Sequence, residues 1–462
     1  MFTEPRSEIN QPVVQSRQVL QRRSKSVSES EGSDFVTNRL TDRLLLEVAS
    51  KVLQSSTLEL LTWHLTRLHG LLNLSVSNGI FRISGTVRQT EQVREWSVVL
   101  KILARPADRG RKPGDWTYWK REALAYKTGL LGSWSDGIVT PRCYKVEELP
   151  EKQQVWLWLE DIHDIAVSDW TLERYRKVAC ALGTFNGTYL ASHRPLPDYP
   201  WLSRRKSLTW VNTLYSSIDA GYGGTSLRSW VINRTVRPVL KRVAPKILAR
   251  GVEVLIGRSL TLLNDEAIWE QPLVRSAFPE PLTERVYRLW DNHRKLVEAL
   301  ERLPRSLCHL DVWNPNIFEV VGIDGQPKTL LLDWEYTGYG AIGEELVQLI
   351  WCNLLYFELE LEQMQQVEQV IFEGYLEGLR QAGWQGDPRL VRLGYAASAV
   401  LRWGVSVPGL ALALNPVQHA REEQRWGRPI ESIVRRRAAA AYRLLDLADE
   451  AFALLEADLL PG

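Results

Sequence analysis

The sequence predicts an α+β fold with two lobes, a small β-rich one followed by a large, mainly helical one. Three observations predict it. At 462 residues and 45% apolar composition, the chain exceeds one ordinary domain and can bury ample core. Strand-like alternation is concentrated before about residue 160. Beyond about 165 the apolar spacing turns helical, broken by one short β region between His309 and Glu335.

Taken in order, residues 1–37 form a polar tail containing "RRSKSVSESEGSD", too poor in apolar surface to offset the entropy of ordering. Residues 38–160 form the first lobe. It opens with a Leu-rich segment, about 40–70, read as helical. In "GIFRISGTVRQ", Phe81, Ile83 and Val87 alternate with Arg82, Ser84 and Thr86, the period of a strand. "WSVVLKILA" (96–104) and "QQVWLWLEDI" (153–162) read as two more strands. Residues 161–462 form the helical lobe. No internal repeat is present.

Composition excludes several classes. A net charge of +2 argues against a dedicated nucleic-acid binder. Cys143, Cys180, Cys308 and Cys352 lie far apart without a CxxC pair, which suggests neither a zinc site nor a disulfide framework and fits a reducing cytoplasm. The start, "MFTEPRSEIN", lacks the apolar core of a signal peptide. The apolar stretch from Ala396 contains Arg402, Gly404, Pro408 and Gly409, so it reads as buried core rather than a membrane span. The GxxxxGK[ST], GxSxG and HExxH motifs are absent. "GYGAIG" (338–343) fits GxGxxG, but a dinucleotide fold needs a second strand ending in an acidic residue about 20 positions on. Here the span continues as helix.

"HLDVWNPNIF" (309–318), followed by "LLLDWE", carries the chemistry. An Asp and an Asn five residues apart on an irregular loop can point at one space, and an Asp ending a short apolar strand can join them. Phosphoryl transfer from ATP needs such a set, with one carboxylate to deprotonate a hydroxyl and oxygen ligands for Mg²⁺. Asp311 is then the base and Asn316 and Asp333 the metal ligands, with His309 a structural brace of the loop. Each alone reads as a loop-capping polar group; their ordered combination is what points to catalysis.

This segment resembles the catalytic core of the aminoglycoside phosphotransferase and choline kinase family, which has a protein-kinase-like fold. "HLDVWNPNIF" is similar to its catalytic loop and "LLLDWEYTGYG" to its metal-binding segment. The resemblance is specific over 309–346 and extends more loosely over 78–414. Leu310 stands where the family usually has a small residue, and Glu345 lies near its usual Asp. The resemblance implies ATP as donor, two Mg²⁺ ions and a small-molecule alcohol as acceptor.

The first lobe offers an independent check. Lys101 lies within the strand "VVLKIL", as a phosphate-binding Lys should. In the following helix Glu122 shares a face with Trp119, Ala123, Tyr126 and Leu130, and a carboxylate there wants a cation. Lys101 is the natural partner; a half-exposed Glu at the edge of the stripe is the alternative. In "SVSNGIF", Gly79 would belong to the turn over the phosphates. "LWLEDI" resembles the family's hinge, where backbone groups near Glu160 and Ile162 would meet adenine, although a plain connecting strand end reads equally well.

Between Lys328 and Arg380 there are ten carboxylates and neither Lys nor Arg, so that span is −10 and the remainder +12. An acidic rim on the acceptor side concentrates cations. Glu335 and Glu345 would line it, and the acceptor is expected to be an amine-bearing alcohol. The alternative is that these Glu residues solvate helix faces. The basic run 234–258, seven cations against Glu253, reads as a solvated helix face, or else as a contact for an anionic membrane, a phosphate-bearing substrate or a partner. Some of the 19 Trp residues could box a quaternary amine, though most belong to the core. Two rival functions remain open, a catalytically silent kinase-like scaffold and a protein kinase. The first is opposed by the retained set Lys101, Glu122, Asp311, Asn316 and Asp333, the second by the lack of a multi-glycine loop.

Overall fold

A computed structural model describes residues 36–68, 77–106, 112–115, 117–132, 137–165, 170–204, 260–404 and 407–457. The N-terminal tail, the turn preceding Ser77 and the basic run 234–258 lie outside or largely outside the described residues. The chain divides into two compact units, residues 1–66 with 83–97, and residues 67–82 with 98–462.

In the first unit, helix α1 (Asp42–Leu53) starts where Thr41 accepts a hydrogen bond from the Leu44 amide and ends at Gln54 in the left-handed region. Strand β1 (Glu59–Leu68) follows, so the second half of the segment read as helical is a strand. Its "LTWHLT" alternates, and Thr and Trp favour the extended chain. Strands β2 (Ser77–Gln89) and β3 (Gln92–Ala104) form where alternation predicts them, and Phe81, Ile83 and Val87 are buried.

In the second unit the C-terminal half of β3 pairs antiparallel with β6 (Gln154–Leu159), which pairs with β5 (Cys143–Leu149). Helix α2 (Arg121–Lys127) lies between β3 and the short β4 (Ile138–Val139). Helices α3 (Leu172–Leu190), α4 (Thr283–Arg302), α5 (Met364–Gln381), α6 (Pro388–Ala399) and α7 (Ile430–Glu456) supply most of the core. The fold class is the predicted one, a β-sheet N-terminal region before a helical C-terminal region. The apolar stretch after Ala396 is core, and no helix among the described residues is long and apolar enough to cross a membrane.

Two small sheets position the segment 309–337. In one, β10 (Pro327–Leu331) pairs antiparallel with β9 (Ile317–Val321) and parallel with β4. In the other, β11 (Gly338–Ala341) pairs antiparallel with β8 (Arg305–Cys308) and parallel with β7 (Ser203–Arg204). Leu331 sits opposite Ile317 and Gly338 opposite Cys308. The connections 309–316 and 332–337 are therefore clamped at both ends and run side by side. The GxGxxG match falls on β11, a strand rather than a dinucleotide turn.

Helices α3 and α5 support these sheets from below, and glycines let them approach. A Cβ at Gly183 would overlap the Tyr375 carbonyl oxygen, and one at Gly378 would overlap that of Cys180. Across this crossing Tyr375 donates to Asn186 Oδ1 (2.8 Å), and Asn186 Nδ2 donates to the Leu307 carbonyl (3.0 Å), which fixes β8.

Candidate active site

The loop 309–316 is built on His309. Its Nδ1 accepts from the Asp311 amide (3.1 Å) and its Nε2 meets the Leu332 carbonyl (2.8 Å), which only the tautomer protonated at Nε2 satisfies. Burial pushes the imidazole down to about 4, against the pull of the Leu332 carbonyl, so it is neutral near pH 7. The ring ties one connection to the other. Leu310 next takes φ +66°, a left-handed conformation that costs a non-glycine residue about 1–2 kcal/mol. Glu345 holds it there, its oxygens accepting from the amides of His309 (2.9 Å) and Leu310 (2.8 Å). Burial raises the Glu345 carboxyl to about 6 even against those two amides.

The loop then delivers its polar pair. Asn316 Nδ2 donates to the Asp311 carbonyl (3.0 Å) and to Asp311 Oδ2 (3.1 Å). The Asn316 carbonyl accepts from the Leu332 amide (2.8 Å), which sets Asp333 beside Asn316. Asp333 is itself left-handed, at φ +62°.

Lys101 completes the set. Its Nζ lies 2.7 Å from Glu122 Oε2 and 2.7 Å from Asp333 Oδ1. Lys101 is 5% exposed and Glu122 1%, so the half-exposed alternative for Glu122 does not apply. Burial alone would lower the ammonium; Asp333, Glu122 and Glu335 outweigh it and hold Lys101 above its ordinary value. Breaking such a pair from one side costs about 3–5 kcal/mol, because the remaining charge is stranded.

Sequence reasoning missed Arg121. It stands beside Lys120 in the sequence, yet it is fully buried. Its Nε donates to the Trp201 carbonyl (2.8 Å), Nη1 to that of Glu335 (2.6 Å) and Nη2 to that of Asp115. It ties the helix bearing Glu122 to the segment bearing Asp333. The signal available was Ala125 one turn on, small and on the same buried face.

Other expectations are placed differently. Glu345 lies under the loop at 1% exposure with its oxygens on backbone amides, not on a rim facing substrate. Glu335 is also buried; burial first, then the neighbouring Asp333, raises its carboxyl to about 8, against Lys101. The acidic span makes no continuous rim. Glu360 pairs with Arg428 and Arg436, Glu368 with Arg392 and Arg443, and Glu377 with Arg176. Glu344 accepts from the Ala341 amide (3.0 Å). The span lacks its own cations because arginines from elsewhere in the chain reach it.

On the side of β6, the Glu160 amide donates to the Arg142 carbonyl (2.8 Å) and its carboxylate accepts from the Arg142 amide. Ile162 follows just beyond the strand, half-buried. Gly79 lies within β2 at φ +153°, which glycine alone takes readily, rather than in a turn. Residues 75 and 76 of that expected turn lie outside the described residues.

Hard oxygen donors suit Mg²⁺, which usually keeps one or two carboxylates plus substrate phosphates. No group of three or more His, Cys, Asp or Glu with metal-holding geometry occurs among the described residues. Asn316 and Asp333 would supply two protein oxygens and leave the rest to nucleotide and water.

Residues 249–382 match the family model described as "Phosphotransferase enzyme family". Over this segment the chain resembles that family. The match contains the loop 309–316 and Asp333, so it bears out the resemblance read from the motifs. No curated protein matches the sequence. Among solved structures, a choline kinase from Cryptosporidium parvum Iowa II is similar at 10% identity and TM-score 0.43, covering 86% of this chain and 93% of that one. Amicoumacin kinase, solved with AMP-PNP, Ca²⁺ and "Ami", is similar at 12% identity and TM-score 0.41, covering 90% and 96%. A Plasmodium vivax ethanolamine kinase follows at 12% and TM-score 0.36, covering 92% and 96%.

Proposed function

We propose that the chain is an ATP- and Mg²⁺-dependent phosphotransferase acting on a hydroxyl of a small molecule. The observation that carries the reading is Lys101 bridging Glu122 and Asp333, with Asp311 and Asn316 on the adjoining connection. A scaffold has no need to bury this costly pair beside two further polar groups.

Mg-ATP would bring the γ-phosphoryl group and neutralise its developing charge. The chain's residues do the rest. Asp311 takes the proton of the acceptor hydroxyl as its oxygen bonds to phosphorus and the bond to the ADP oxygen breaks. Lys101 directs its ammonium at the phosphates from a strand held by Glu122. Asn316 and Asp333 offer metal oxygens. His309 and Glu345 keep the loop in one conformation, so little reorganisation is needed at the moment of reaction. Glu160 and Ile162 would present backbone groups to adenine, with Gly79 near the phosphates.

The acceptor is proposed to be a cationic alcohol, aminoglycoside- or choline-like, in a reading that no longer rests on an acidic rim. Lys101 faces Asp333, Glu122 and Glu335, and Asp311 is a further carboxylate near Glu335. Beyond Asp311, Trp313 packs edge-on to Tyr356 (5.4 Å) and Tyr356 stacks on Trp426 (5.7 Å), and aromatic faces favour cations. The test is ADP release from Mg-ATP across amino-alcohols, aminoglycosides and neutral sugars. A neutral sugar outperforming every amine would reject the cationic acceptor while keeping the phosphotransferase.

A further inference from the structure

Within the buried run "ELVQLIWC", Gln348 is one polar side chain in an apolar stretch. It is 2% exposed, while Leu346, Val347, Leu349 and Ile350 around it are buried as core. Burying an amide costs free energy unless its hydrogen bonds are met, so a leucine would be the cheaper occupant. Gln348 meets them on the site. Its Nε2 donates to Asp311 Oδ1 at 3.3 Å, and Cys352 Sγ donates to its Oε1 at 3.3 Å. The thiol fixes which end of the amide faces Asp311, since only Oε1 can accept.

The backbone is arranged for this contact. Gln348–Cys352 is a π-helical turn, a form that inserts one extra residue and re-aims the side chains it carries. Asp311 is thus gripped at both oxygens by amides from different elements, Asn316 on Oδ2 and Gln348 on Oδ1. Two such bonds define the plane of the carboxylate, and with it the direction in which it meets a hydroxyl.

We propose that Gln348 is a positioning residue for Asp311, set by the π turn and by Cys352. This rests on the phosphotransferase reading. It predicts an effect on turnover rather than on nucleotide binding, since Gln348 touches the base and none of the residues assigned to ATP or metal.

The test compares Gln348→Met, similar in length but without a donor, with Gln348→Glu, which faces one acceptor with another. ADP release from Mg-ATP is followed with choline, ethanolamine, an aminoglycoside and water in turn as acceptor. Gln348→Met is expected to lower kcat about 10-fold, within the roughly 10²-fold range of a misplaced catalytic group, and Gln348→Glu to lower it further. KM for Mg-ATP and Tm should stay near wild type in Gln348→Met. In an Asp311→Asn background the same change should cost less than about 2-fold, because it acts through the missing carboxylate. Wild-type kcat in Gln348→Met, or an equal loss in both backgrounds, overturns the proposal. A separate readout is hydrogen exchange of the Gln348 side-chain amide in [¹⁵N]glutamine-labelled protein. One slowed proton is expected in wild type and its loss in Asp311→Ala; exchange unaffected by Asp311 overturns the contact itself. Absence of ADP release by wild type with every acceptor would instead reject the phosphotransferase reading, and the exchange experiment would still decide the contact.

Discussion

Replacing His309 by leucine tests how the catalytic loop is held. The imidazole bonds the Asp311 amide and the Leu332 carbonyl, and leucine fills similar space with neither bond. Each buried group left unpaired costs about 1–3 kcal/mol, so the variant should be less stable by a few kcal/mol at pH 7. The pH dependence is more specific. Unfolded His protonates near 6.5 and folded His309 only near about 4. Between those values the unfolded state binds more protons, so this contribution is complete above about 6.5 and is lost as pH falls toward 4. At about 1.4 kcal/mol per pH unit the gap is worth on the order of 3 kcal/mol. Urea unfolding of wild type and His309→Leu from pH 7.5 to 4.5 (an assay range chosen at about one unit beyond ordinary His titration) measures it. Glu345 and Glu335, raised to about 6 and about 8, titrate in both proteins, so the difference between the two removes what they share. The advantage of wild type should shrink by most of that 3 kcal/mol on acidification. A difference constant with pH, or one growing as pH falls, would refute the buried neutral imidazole.

Three further outcomes are expected. Asp333→Ala should abolish most of the thermal stabilisation by Mg-ATP, because it removes a metal oxygen and leaves Lys101 paired to Glu122 alone; equal shifts in both proteins, read by scanning fluorimetry, would contradict the metal role. Gly378→Ala should cost at least about 1–3 kcal/mol in urea unfolding, since the new methyl overlaps the Cys180 carbonyl of the facing helix, and an unchanged midpoint would refute the close crossing. With an amine acceptor, kcat/KM should fall as salt shortens the Debye length to about 10 Å and below; no response to salt would remove the cationic acceptor.

Much of this was legible in the sequence, where residue spacing and local chemistry agree. The strands carrying Lys101 and preceding Glu160 announce themselves as short apolar runs, and the helix carrying Glu122 by its stripe with Trp119, Ala123 and Tyr126. The ordered His309, Asp311, Asn316 and Asp333 occupy two adjoining connections because β8 to β11 pair as they do. What was not legible depends on partners distant in sequence. β1 reads as helix because leucines satisfy either period and its pairing strand comes later in the chain. Glu345 looks like surface until the amides of His309 and Leu310 are brought to it, and the acidic span until Arg176 on α3, Arg392 on α6, Arg436 and Arg443 on α7 and Arg428 just before α7 reach it. Arg121 and Gln348 stayed hidden for the same reason, since their acceptors lie on other elements.

The most direct measurement is ADP release from Mg-ATP by wild type and Asp311→Asn across the acceptor panel, paired with thermal stabilisation of both by Mg-ATP. Wild type should turn over with one acceptor class, and Asp311→Asn should lose about 10²-fold or more in kcat, the usual scale for a general base, while Mg-ATP stabilises both equally. Asp311→Asn retaining most of the activity, or a wild type that Mg-ATP neither stabilises nor drives to release ADP, would contradict the account.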